Sequence, residues 1–169
     1  MTGRISAPAW TTTRWFNTDG PLALADLRGR VIALNVFQML CPGCVQEGIP
    51  QARRIAQIFD PAQVAVIGLH SVFEHHEVMN DAALEVFISE YRLDFPIGID
   101  APGKAGPLPQ TMAAYGMRGT PTLILIDAEG FVRKHSLGTE PDLQVGVEIG
   151  RLLAERAQHA IDPEAVKTP

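Results

Sequence analysis

The stretch Val31-Ile32-Ala33-Leu34-Asn35-Val36-Phe37-Gln38-Met39-Leu40-Cys41-Pro42-Gly43-Cys44 passes from a nearly unbroken apolar run into two cysteines three positions apart. Only Asn35 interrupts the run Val31–Phe37, and β-branched residues dominate it, the pattern of a central strand covered on both faces. From Pro42 to Phe59 the apolar residues Ile49, Ala52, Ile55, Ala56 and Phe59 recur at helical spacing. Pro50 falls inside this helix, where its missing N–H predicts a kink. A second buried strand follows at Val64–Leu69. Strand, helix and strand in this order make a βαβ unit.

Beyond that unit the punctuation is regular. A helix is expected from Asp81 to about Tyr91, with Leu84, Phe87, Ile88 and Tyr91 on its apolar side. Phe95–Ile99 reads as a short edge strand, because Pro96 is tolerated at an edge and not in the middle of a sheet. Ala101–Pro109, with three prolines and two glycines, reads as a loop, and Thr111–Tyr115 as a short helix. Leu123–Ile126 is a third buried strand, returned through the turn Asp127-Ala128-Glu129-Gly130 into a strand beginning at Phe131. A final helix is expected from Pro141 to Ala157, burying Leu143, Val147, Ile149, Leu152 and Leu153, and the chain from His159 onward reads as a frayed tail.

The 169 residues suffice for one domain with a real core. With 46% hydrophobic and 20% charged residues the chain is too apolar to be disordered. A net charge of -5 without a basic stripe argues against nucleic acid as a partner. No run approaches the roughly 20 apolar residues of a membrane span. Met1–Trp15 lacks the charged start, apolar run and cleavage site of a secretory signal, so a soluble, cytoplasmic protein is expected.

The two cysteines are the only ones, and a bridge between them would close too small a loop to stabilise much. Chemistry is the better reason for the pair. Cys41 leaves a strand and opens a helix, with Pro42 suited to the first helical position. Unpaired N–H groups at a helix N-terminus favour a thiolate, the species that attacks disulfides. Cys44, one turn on, puts the two α-carbons roughly 5–6 Å apart, within disulfide range. Zinc sites share the Cys-x-x-Cys spacing. His70 and His75 would complete a Cys2His2 list with Cys41 and Cys44, although a whole helix and strand separate the two halves. His75 and His76 also suit a loop at the carboxyl end of the second strand, where sites form in open α/β sheets.

Three separated pieces resemble the thioredoxin superfamily, and within it the TlpA/ResA-like redoxins. Leu24-Ala25-Asp26-Leu27-Arg28-Gly29-Arg30-Val31 resembles the family's lead-in to its central strand. Cys41-Pro42-Gly43-Cys44 with Glu47 is similar to its Cys-x-x-Cys-x-x-Glu, and Gly119-Thr120-Pro121-Thr122 to its cis-proline loop. The resemblance implies a thioredoxin-like α/β fold over residues 10–157: a central mixed sheet flanked by helices, with a helix and strand inserted between the βαβ unit and the C-terminal hairpin. Residues 1–9 would be an N-terminal extension and 158–169 a flexible tail.

By the same resemblance Cys41 is the attacking thiol and Cys44 the resolving one, flanked by Pro42 and Gly43. Pro121 is cis, with the Thr120 backbone against Cys41 to pair with an extended substrate. Glu47 lies near Cys44 and tunes its proton affinity, or is simply a surface carboxylate near a helix N-terminus, which is favourable anyway. Two departures stand out. Leu40 holds the place of the tryptophan that usually precedes the first cysteine, and Pro50 is displaced by one residue behind Gly48-Ile49.

The function implied is a thiol–disulfide oxidoreductase, in a reducing compartment a disulfide reductase. It would need no cofactor and no resident metal, only a protein or small-molecule disulfide substrate and a recycling thiol reductant. A peroxiredoxin-like peroxidase is the first alternative. Aligned on Cys41, however, that family's proline and hydroxyl positions hold Leu34 and Gln38. A non-catalytic redox-sensing or zinc-binding module is the second.

Overall fold

The computed structural model describes residues 4–161. Strand β3 (Val31–Phe37) is buried along its whole length, as its continuous apolar run requires. It lies at the centre of a seven-stranded sheet with order β1-β7-β6-β3-β4-β5-β2. β4 (Val64–His70) pairs with it in parallel on one side, and β6 (Thr122–Ile126) antiparallel on the other. β5 (Ile97–Asp100) continues the parallel side, and β7 (Phe131–Leu137) returns from β6 as the second arm of a hairpin.

Alternate residues of β3 serve two separate cores. Val31, Ala33 and Phe37 pack against α1 (Ile49–Ile58), α2 (Asp81–Glu90) and α4 (Asp142–Ile161) through Ile49, Leu84 and Ile149 among others. Ile32, Leu34 and Val36 face Leu24, Leu27 and Met112, the last from α3 (Gln110–Ala114). A sheet covered on both faces has no polar side, which is why β3, β4 and β6 show no alternation in sequence. Among the described residues no helix is long and apolar enough to cross a membrane.

The structure differs from expectation at several points. β5 is not an edge strand: β2 (Thr12–Phe16) pairs antiparallel along its outer side. Pro96 is accommodated because it precedes β5, and its carbonyl accepts the N–H of Gly68. β2 escapes sequence reading because its residues are only partly buried and carry no long apolar run. Ahead of Trp10, β1 (Ile5–Ser6) adds a short strand to the outside of β7.

The helix expected from Pro42 to Phe59 contains a π turn at Cys44–Gly48, and regular α1 begins at Ile49, whose N–H bonds the Cys44 carbonyl five residues back. Pro50 thereby falls in the first turn of α1, where its missing N–H costs nothing. The kink takes the form of a change in helical register.

On α4 the buried stripe is Val145, Ile149 and Leu152, while Leu143 and Val147 face solvent at 81% and 48% exposure. Positions 145, 149 and 152 form one i, i+4, i+7 row, and 143 and 147 lie off it. The helix also runs to Ile161, past Ala157, so residues 158–161 are not a loose tail. The rest of that expected tail lies outside the described residues.

Candidate active site

The site is assembled where β3 ends. Cys41 is half-buried and Cys44 wholly buried, and both thiols are free. The N–H of Cys44 donates to Cys41 Sγ at 3.2 Å, and the Cys41 thiol donates to the Thr120 carbonyl at 3.5 Å. Cys41 is therefore the sulfur an incoming molecule can reach, and Cys44 waits beneath it. Burial pushes the Cys44 thiol up to about 12, with the neighbouring Cys41 adding to the rise. Hydrogen bonds from the Thr120 side chain and the Gln38 backbone oppose it.

The Thr120–Pro121 peptide is cis, as the resemblance implied. Pro121 packs directly on the turn that carries the thiols, and two glycines make room for it. A Cβ on Gly43 would lie 3.3 Å from Pro121 Cδ, and one on Gly48 only 3.0 Å from Pro121 Cβ. Gly43 thus has a packing role beyond separating the cysteines. Pro42 is exposed beside Cys41. The single polar residue of β3, Asn35, faces this turn: its Nδ2 donates to the Gly48 carbonyl at 3.2 Å, and its Oδ1 has no hydrogen-bond partner.

Glu47 is exposed on the π turn and lines a cleft of about 200 Å³ with Asn35, Gly48, Gln51 and Pro121. A second groove, of about 410 Å³, is lined by Cys41, Leu40, Phe73, His75 and Val78, with the buried Gln38 at its base.

The Cys2His2 list read from sequence is not assembled. His70 closes β4 with its ring against Phe37, centroids 5.3 Å apart, and is 1% exposed. His75 lies on the exposed loop beyond it. Among the described residues no group of three or more Cys, His, Asp or Glu is placed to hold a metal ion. Sequence reasoning overlooked the structural parts played by Gln38, Gly48 and Asn35. Only Asn35 left a local signal, as the one polar residue in an apolar strand.

A dithiol at a strand-to-helix junction, packed against a cis-proline loop that leads into the neighbouring strand, defines a thioredoxin-superfamily redoxin. The chain belongs to the Redoxin family, whose profile matches residues 6–147. The crystal structure of a thioredoxin-like superfamily protein is similar at TM-score 0.86 and 52% identity, over 88% of this chain and 96% of that one. A thiol-disulfide isomerase from Corynebacterium glutamicum is similar at TM-score 0.82 and 47% identity, over 87% and 96%. Protein DipZ of Mycobacterium bovis is 29% identical over 163 residues, which are 93% of this chain and 22% of DipZ. The chain therefore spans about a fifth of that relative's length.

Proposed function

We propose that the protein is a thiol–disulfide oxidoreductase working as a disulfide reductase. The observation that carries this reading is the asymmetry of the pair: Cys41 Sγ is accessible and receives the Cys44 N–H, while the Cys44 thiol is buried behind it. The Cys41 thiolate attacks one sulfur of a substrate disulfide, forming a mixed disulfide and expelling the other sulfur as a thiolate that takes up a proton. Cys44 then gives up its proton and attacks Cys41 Sγ. The second substrate thiol leaves, and Cys41–Cys44 becomes a disulfide. Two electrons have passed to the substrate, and an external thiol returns them to the enzyme.

The thiol-disulfide isomerase named above supports the same exchange chemistry in this chain. The substrates proposed are protein disulfides. The reductive direction supposes a reducing compartment such as the cytoplasm, where a dithiol is the resting form.

Stopped-flow mixing of the reduced protein with a disulfide and, separately, with hydrogen peroxide tests the reading. Thiol loss should be fast with the disulfide and slow with peroxide. Fast peroxide consumption with indifference to disulfide would overturn it in favour of a peroxidase. Stoichiometric zinc that blocks both reactions would favour a metal-binding module.

A further inference from the structure

The groove beside Cys41 has a wall held in place by a side chain from its floor. Gln38, the first residue beyond β3, is only 1% exposed despite its carboxamide. Its Oε1 accepts the N–H of Phe73 at 3.1 Å, and its Nε2 donates to Glu74 Oε1 at 3.3 Å. At its other end the Gln38 carbonyl accepts the Cys41 N–H at 3.2 Å. One residue thus ties the reactive turn to a segment 35 positions later in the chain. No other side-chain hydrogen bond among the described residues reaches Phe73 or Glu74.

That segment doubles back at His75, whose φ of 51° lies in the left-handed region and whose carbonyl accepts the N–H groups of Val78 and Met79. The turn buries Met79 and leaves Val78 58% exposed in the same groove as Leu40, itself 59% exposed. Cys41 is part of the groove's lining, so a chain laid along the groove passes the attacking sulfur. A small disulfide needs only Cys41 Sγ. A polypeptide laid along the groove also meets Leu40, Val78 and the Phe73–His75 wall.

We infer that Gln38 is a positioning residue for polypeptide substrates: by holding Phe73 and Glu74 it sets the wall against which the chain flanking a disulfide is laid over Cys41. The inference rests on the exchange reaction proposed above. It assigns the Gln38 side chain a role exerted through the loop and not through contact with the reacting atoms.

The test compares full-length wild type with Gln38→Ala, Gln38→Glu and the double variant Gln38→Glu/Glu74→Gln. The probes are oxidised insulin, recycled with dithiothreitol, and the small disulfide 5,5′-dithiobis(2-nitrobenzoate). For Gln38→Ala the KM for insulin should rise, and the ratio of insulin to small-disulfide rate constants should fall about tenfold. That is about 1.4 kcal/mol, the scale of one or two lost hydrogen bonds. Hydrogen exchange at the Phe73 amide should accelerate while β3 stays protected.

Gln38→Glu keeps the acceptor for Phe73 but sets a carboxylate against Glu74, so it too should lose insulin turnover. The double variant exchanges donor and acceptor and should recover it. Parallel loss towards both probes, or a loss confined to kcat, would overturn the inference. If Gln38→Ala does not fold, the exchange of charges decides, and a double variant no better than Gln38→Glu sinks the proposal. A wild type inert to both disulfides would instead remove the exchange reaction itself.

Discussion

The backbone N–H of Cys44 points at Cys41 Sγ from 3.2 Å, while the Cys44 thiol is wholly enclosed. One turn of helix therefore gives two chemically identical side chains opposite situations. With its thiol pushed up to about 12 by burial, Cys44 holds far less thiolate near neutral pH than an exposed cysteine would. In the reduced protein at pH 8, iodoacetamide should modify Cys41 readily and Cys44 only after denaturation. Peptide mapping by mass spectrometry checks this, and equal labelling of both thiols would refute it.

The roles of the two thiols predict different lesions. Cys41→Ser should abolish disulfide exchange. Cys44→Ser should still attack but fail to release, so that a mixed disulfide through Cys41 accumulates. Non-reducing electrophoresis after mixing with a protein disulfide reads the difference, and accumulation in the Cys41→Ser variant would reverse the assignment.

Stability of the reduced form should fall in alkali. The folded state holds the Cys44 proton more tightly than the unfolded chain, so this contribution is complete below about pH 9 and lost as pH rises towards 12. Tyr115, which burial also pushes up to about 12, acts in the same direction. Urea midpoints measured between pH 8 and 11 should therefore decline less steeply for Cys44→Ala than for wild type.

His70 predicts the opposite limb. Burial lowers its pKa from 6.5 to about 4, so the fold favours the neutral ring. The stability this gives is present above about pH 6.5 and disappears as pH falls towards 4. At full extent that is up to about 3 kcal/mol. His70→Phe replaces the ring, whose Nε2 has no hydrogen-bond partner, with an apolar one beside Phe37. Its stability should be flatter over pH 7 to 5 in urea titrations, and an unchanged acid slope would contradict this account.

Gly48 tests the packing of the reactive turn on the cis-proline loop. Adding a Cβ brings it to 3.0 Å from Pro121 Cβ and 3.3 Å from Asn35 Nδ2. Pro121 Cβ belongs to a ring and Asn35 Nδ2 is held by its bond to the Gly48 carbonyl, so the turn or the loop must shift. Gly48→Ala should cost about 1–3 kcal/mol in chemical denaturation, the usual range for overpacking. It should also slow disulfide exchange, because Thr120 and Cys41 would lose their present spacing.

What the amino-acid sequence determined by itself is local. Continuous apolar runs announce β3, β4 and β6, since strands covered on both faces need apolar residues at every position. The strand-to-helix junction and the three-residue spacing bring Cys41 and Cys44 together without help from the rest of the chain. Tertiary structure decided what depends on neighbours far along the sequence. β2 covers β5, 80 or more positions later, and turns an expected edge into an interior strand. Phe37 receives His70 into the core and removes it from any ligand set.

Gln38 reads as an ordinary polar residue until Phe73 and Glu74 arrive beside it. Above all, the inequality of the two thiols comes from the burial of Cys44 in the surrounding core. Spacing can place two sulfurs within reach, but only the packed environment decides which of them water and substrate can touch.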